Sequence, residues 1–120
     1  GLQWMLADMH IQIEAARLLL RKAASVKSEN SGADVSGFPD MLEAAQAKIF
    51  ASEMAIKVTN DAMQIFGSSG YSRNFPLERM ARDARMFTIG GGTAQILRTV
   101  VASSLLDMKL PQTRDGYSKK

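Results

Sequence analysis

Two long stretches of helical periodicity dominate this chain, and each carries apolar residues on two faces. From Leu2 onward, Leu2, Met5, Met9, Ile13, Ala16 and Leu20 recur at three- and four-residue intervals. That spacing predicts one face of a helix running to about Lys27. Trp4, Ile11 and Leu18 follow at seven-residue spacing on a different face. A helix apolar on two sides needs partners on two sides, so this one is expected at the centre of the fold. From Asp40 to Phe66 the pattern repeats: Leu42, Ala45, Ile49, Ile56, Met63 and Phe66 share one face, and Ala47, Phe50, Met54, Val58 and Ile65 form another.

The segments between these runs read as breaks. Ser28 to Gly37 is polar, Gly/Ser-rich and aperiodic, a connection, and Phe38-Pro39-Asp40 signals the next helix start. Gly67 tolerates the left-handed dihedrals needed where the second helix stops, and Ser68-Ser69-Gly70 continues the break. Pro76 suits the first turn of a short third helix, where its missing N–H costs nothing. On that helix Glu78 with Arg82, and Arg79 with Asp83, stand four residues apart. Gly90-Gly91-Gly92 interrupts the chain again, and Thr93 is a good N-cap for a fourth helix carrying Ile96, Leu97, Val100, Leu105 and Met108, with Pro111 marking its end. No alternating strand pattern competes. The expected fold is all-α, an antiparallel four-helix bundle over residues 1–110 followed by a polar tail, 111–120.

Composition narrows the functions. At 120 residues the chain is the size of one ordinary domain. It has no Cys and a single His10, so thiolate chemistry, disulfides and Cys- or His-rich metal sites are not expected. The net charge of +3 comes from 15 basic residues scattered among 12 acidic ones, unlike the basic stripe of a nucleic-acid footprint. Apolar runs such as Leu18 to Leu20 fall far short of the roughly 20 residues that span a bilayer. The eight Met residues lie mostly on apolar helix faces and read as core. His10 is assigned no role, and neither a Ser-His-Asp arrangement nor facing carboxylates can be picked out.

Two local signals carry chemistry. In Ile65-Phe66-Gly67-Ser68-Ser69-Gly70-Tyr71 the glycines could let backbone N–H groups approach a phosphate, although a plain helix C-cap and turn explain the same residues. The run follows a helix and lacks a βαβ setting, so it is no dinucleotide fingerprint. Gly90-Gly91-Gly92-Thr93 is either a flexible hinge or an anion-favouring entry to the helix that follows.

The order of motifs resembles the acyl-CoA dehydrogenase family. Met63-Gln64-Ile65-Phe66-Gly67-Ser68-Ser69-Gly70-Tyr71 is followed by Phe75-Pro76-Leu77-Glu78-Arg79, by Arg82-Asp83-Ala84-Arg85 and by Ile89 through Ile96. Ala7-Asp8-Met9 in the first helix fits as well, and the resemblance extends to about Leu110. It implies the C-terminal helical domain of a flavoprotein that oxidises an acyl-CoA thioester between its α and β carbons. In that chemistry a carboxylate takes the α proton and FAD accepts the hydride, with electrons passing to an electron-transfer flavoprotein. By the same resemblance Gln64, Ile65, Phe66, Gly67 and Ser68 meet the FAD diphosphate region across a subunit interface of a homotetramer. Thr93, Ala94 and Gln95 form the second FAD-contacting segment, and Gly91 and Gly92 lie near the substrate thioester.

Two departures qualify this. Ser68 stands where the family usually has Gly, adding a Cβ where backbone is expected to come close. Gly91 stands where the common pattern, Tyr-Glu-Gly-Thr, carries the glutamate base, so this stretch offers no catalytic residue. The resemblance leaves two explanations open. The base comes from an earlier helix, as in the isovaleryl-CoA and long-chain branch, or the protein does not perform ordinary α,β-dehydrogenation. A further helix, an Arg-containing FAD motif and any relocated carboxylate are expected before Gly1. The chain alone is therefore expected to be inactive and, with two-faced helices uncovered, to self-associate. The alternative is a non-catalytic helical assembly module. The resemblance places the intact protein in fatty-acid or amino-acid catabolism, in the cytoplasm of a bacterium or the mitochondrial matrix of a eukaryote.

Overall fold

The structure is a computed structural model that describes residues 1–26 and 40–110. The connection expected over Ser28 to Gly37, Phe38, Pro39, Pro111 and the polar tail lie outside the described residues. Among the described residues five helices follow in order: α1 (Leu2–Ser25), α2 (Met41–Phe66), α3 (Ser68–Tyr71), α4 (Leu77–Met86) and α5 (Ala94–Leu106). No strand occurs among the described residues, in agreement with the all-α expectation.

Helix ends have local causes. The Asp40 carboxylate accepts hydrogen bonds from the Leu42 and Glu43 N–H groups at 2.9 and 3.3 Å, satisfying two donors that α2 itself cannot. α1 stops at Ser25 because Val26 turns extended (φ −86°, ψ 115°), slightly before the boundary expected near Lys27. α5 ends at Leu106, short of Met108. There Asp107 adopts a left-handed conformation (φ 49°), its N–H bonds to the Ser104 carbonyl, and the Met108 N–H reaches back to the Ser103 carbonyl at 3.1 Å. This is a Schellman-type ending that needs no proline. Ser68-Ser69-Gly70 also differs from expectation. These residues form the single helical turn α3, closed by Gly70 and Tyr71 N–H bonds to the Gly67 carbonyl. Glu78 pairs with Arg82 at 3.0 Å as expected.

α2, and not α1, is the centre. α1, α3, α4 and α5 all pack on α2, and α3 also touches α4. α1 runs antiparallel to α2, with Lys22 near its end bonded to Glu43 at the start of α2 at 3.0 Å. The second apolar face of α1 has no neighbour among the described residues, leaving Trp4 75%, Ile11 63% and Leu18 63% exposed. For the same reason the methionines are not uniformly core: Met41, Met80, Met86 and Met108 are exposed, whereas Met5, Met9, Met54 and Met63 are half-buried.

What is buried is small. Among the described residues, Ala16 and Ala23 of α1, Ala45 and Ala47 of α2, Ala84 of α4 and Ala94 of α5 are the buried apolar ones, joined by Ser52, Thr59 and Thr88. Short side chains let helix backbones approach closely, and the polar ones bond locally: Ser52 donates to the Ile49 carbonyl and Thr59 to that of Ala55. Ala45 and Ala47 lie on the two different faces anticipated for α2, so its two-sided character holds. Glu53 of α2 and Arg98 of α5 form a surface pair at 2.7 Å. The guanidinium bond holds the Glu53 carboxyl below its ordinary value of 4.5. Because that value is depressed, the pair's small contribution is present at neutral pH and is lost as pH falls through the folded-state value.

Gly70 is the tightest contact. A Cβ there would lie 2.7 Å from the Met63 carbonyl oxygen and 2.8 Å from the Phe66 Cβ, so α3 seats directly on the last turns of α2. Gly70→Ala is expected to destabilise the fold by about 1–3 kcal/mol through overpacking. Ser69→Ala, at an exposed neighbour, should fall within about 0.5 kcal/mol of the parent. Urea unfolding of both variants checks this, and equal stabilities would contradict the seating of α3.

Candidate functional site

The first candidate segment, Gln64, Ile65, Phe66, Gly67 and Ser68, forms the C-terminus of α2 and the turn into α3. Gly67 takes φ 59° and ψ −137°, a backbone conformation that side chains disfavour, and its N–H bonds to the Gln64 carbonyl at 3.2 Å. The Ser68 and Ser69 N–H groups find no acceptor among the described residues, and both serines are exposed. Exposed amides beside two hydroxyls are a donor set suited to phosphate oxygens, so the residues fit the diphosphate of the implied FAD. Ser68 is exposed, so its Cβ and hydroxyl both stand on the surface that a diphosphate would approach. Gln64 and Phe66 are exposed and Ile65 is half-buried, with the Phe66 ring meeting Phe75 edge-on at 5.6 Å.

The second segment joins α4 to α5. Thr88 is buried, donates to the Arg85 carbonyl at 3.0 Å and accepts from the Arg85 guanidinium, while its own carbonyl takes the Ala94 N–H at 3.0 Å. Thr93 caps α5 as expected, its hydroxyl accepting from the Ile96 N–H at 3.2 Å. Between these anchors Gly91 and Gly92 hold φ values of 67° and 88°. The triple-glycine run is therefore a defined turn. A Cβ on Gly91 would meet nothing within 4 Å, whereas one on Gly92 would come 3.2 Å from Leu97 Cδ2. Ala94 is buried and Gln95 exposed.

Lys48 of α2 holds this turn from below, a role that the sequence reading missed. Its ammonium donates to the Gly90 carbonyl at 2.9 Å and to the Gly92 carbonyl at 2.6 Å. The available signal was a lysine set among Ala44, Ala45, Ala47 and Ala51 on the small-residue surface of α2. The Gly91, Gly92 and Thr93 N–H groups make no hydrogen bond among the described residues.

These two segments stay apart within one chain. Gln64 stands sixteen positions after Lys48 along α2, a span of about 24 Å at 1.5 Å per residue. Gly91 brings no carboxylate to the turn, and no group of three or more His, Asp or Glu side chains gathers among the described residues. His10 is exposed on α1. Among the described residues no helix is long and apolar enough to cross a membrane.

Comparison with known proteins gives a consistent picture. Residues 1–106 match the family model described as acyl-CoA dehydrogenase, C-terminal domain. A 3-sulfinopropanoyl-CoA desulfinase of Advenella mimigardefordensis is 69% identical over 121 residues, covering 99% of this chain. The chain spans only 28% of that relative's length. Among solved structures, a chain from work on the electron transferring flavoprotein of Acidaminococcus fermentans superposes with a TM-score of 0.77 at 47% identity, covering 88% of this chain and 26% of that one. Butyryl-CoA dehydrogenase from Megasphaera elsdenii superposes with a TM-score of 0.75 at 42% identity, covering 87% of this chain and 25% of that one.

The two positive-φ glycines of the turn should respond unequally to substitution. Gly91→Ala carries only the left-handed penalty, about 1–2 kcal/mol. Gly92→Ala adds a small displacement of the Leu97 Cδ2 end and should cost more, by up to about 1 kcal/mol. Thermal unfolding of the two variants measures the difference, and a Gly91 variant less stable than the Gly92 variant would contradict the turn geometry.

Proposed function

The chain belongs to the acyl-CoA dehydrogenase family as its C-terminal helical domain, and from this premise we propose that it serves a protein that removes the sulfinate group of a short sulfinoacyl-CoA. The observation that carries this is the 69% identity to a 3-sulfinopropanoyl-CoA desulfinase over 99% of the chain. Gly91 is consistent with it: at φ 67° it supplies neither a carboxylate nor any other proton-accepting side chain where the common family pattern carries its base, as expected of a relative that does something else with the same thioester, although a base placed elsewhere would account for Gly91 equally. Atom balance gives the products: 3-sulfinopropanoyl-CoA and one water yield propanoyl-CoA and sulfite, with no electrons left for an external acceptor.

In this reading Gln64, Ile65, Phe66, Gly67 and Ser68 bind the diphosphate portion of FAD through exposed amides and hydroxyls, and Thr93, Ala94 and Gln95 form a second contact. When bound, FAD supplies a two-electron acceptor to the dehydrogenases of the family. The roughly 24 Å between the two segments supports contributions from two copies of the chain, hence a homo-oligomer, with a tetramer as the family's form. Gly91 and Gly92 leave room beside the thioester for the acyl group.

A second reading keeps α,β-dehydrogenation, with the base supplied by residues outside this chain and an electron-transfer flavoprotein as acceptor. It is favoured by the 42% identity to butyryl-CoA dehydrogenase. The intact protein loaded with FAD separates the two. With 3-sulfinopropanoyl-CoA we expect sulfite and propanoyl-CoA in equal amounts, and with butanoyl-CoA no bleaching of the flavin absorption. Bleaching by butanoyl-CoA without sulfite release would establish the second reading. Neither reaction would leave a helical assembly module.

A further inference from the structure

We infer that Lys48 is a positioning residue for the acyl site: it fixes the Gly90–Gly92 turn and polarises its peptides, so that the Gly91 and Thr93 N–H groups are held on the side of the turn away from Lys48, as donors for an oxygen bearing negative charge. The inference rests on the reading above for the identity of that oxygen, the thioester oxygen of an acyl-CoA. The geometry of the clamp stands independently of it.

Three observations combine. Lys48 donates to two carbonyls of one turn, at 2.9 Å to Gly90 and 2.6 Å to Gly92. No peptide among the described residues is cis. In a planar trans peptide the N–H points opposite to the C=O, so the donors sharing planes with those two carbonyls, Gly91 N–H and Thr93 N–H, are directed away from Lys48. Both are unbonded among the described residues. Lys48 is half-buried and lines a groove with Ala44, Ala51 and Phe87.

The charge matters beyond the tether. Lys48 has no carboxylate partner among the described residues, so its field is spent on the two carbonyls. Hydrogen bonds from an ammonium are roughly twice as strong as neutral ones. A carbonyl polarised in this way makes the N–H of the same peptide a better donor. Donors fixed in advance toward developing negative charge stabilise a transition state more than a ground state, so removing the clamp should act mainly on kcat. Three consecutive glycines would otherwise sample many turn geometries, and two ammonium bonds from one rigid helix restrict them.

The test uses the flavin-loaded intact protein with the thioester that it turns over. Lys48→Met should lower kcat at least roughly tenfold while KM changes less than about threefold, short of the larger loss that follows removal of a direct oxyanion donor. Lys48→Arg, which can reach two carbonyls with a permanent charge, should recover a third or so of parental kcat. Amide hydrogen exchange supplies a readout that needs no activity. Exchange over residues 90–93 should speed up about tenfold in Lys48→Met and return toward the parent in Lys48→Arg, with α2 and α5 unchanged. If Lys48→Met does not accumulate, Lys48→Gln takes its place with the same expectations, since it keeps a donor without the charge. A kcat within twofold of the parent, or a loss confined to KM, would overturn the positioning role, and unchanged exchange over the turn would overturn the clamp itself. Should the parent turn over neither thioester, the functional reading fails on its own, and the exchange measurement decides for or against the clamp.

Discussion

Close packing of neighbours onto the small-residue faces of α2 is the constraint on which the rest depends. Ala45 and Ala47 are almost fully buried, and Gly70 brings α3 to within van der Waals contact of the Met63 and Phe66 backbone region. Each of these contacts depends on the absence of bulk, so the interface is governed by how near two backbones can come rather than by large interlocking side chains. α1, α4 and α5 are held through α2. An unbroken helix of 26 residues therefore acts as a ruler, about 39 Å long. It sets the separation of the α2 C-terminal turn from the glycine turn, and it places Lys48 beneath the latter.

Much of this was legible in the chain. The start of α2 near Asp40, the end of α2 at Gly67 and the Thr93 cap each had a local signal with a hydrogen-bonding reason, and local chemistry is what a sequence displays best. The two-faced pattern of α2 likewise translated into burial on two sides. α1 had the same kind of pattern but a different outcome. Periodicity reports that Trp4, Ile11 and Leu18 share a face, but it says nothing of what lies opposite, and among the described residues nothing does. The boundary of α5 was missed because a left-handed Asp107 ended it before Pro111 could, and the ability of aspartate to take that conformation is only a tendency. α3 was missed because Ser, Ser and Gly read as a break, when glycine there serves close approach instead of freedom.

The candidate site divides along the same line. Gly67, Gly91, Gly92 and Thr93 announced themselves because unusual backbone demands select unusual residues. Lys48 did not, because its function depends on a partner more than forty positions away, and a lysine on a helix reads first as a solvated charge. Long-range polar contacts of this kind are invisible to periodicity: neither Lys48 nor the turn it binds has a pattern that refers to the other.

What the glycine turn has lost in side chains it presents as backbone. Gly91 has no side chain to offer, so the groups this segment can turn toward a ligand are peptide N–H donors, whose strength and direction depend on what holds their carbonyls. Ordering three glycines costs more conformational entropy than ordering any other three residues, so such a turn contributes fixed donors only if something outside it restrains the chain. Thr93 does so at one end through the α5 cap, Thr88 at the other through the Ala94 N–H, and Lys48 across the middle. A segment with a carboxylate at this point would carry its chemistry in one side chain and need less of this restraint. Under the proposed function, the three anchors would let the turn act through oriented dipoles instead of a titrating group.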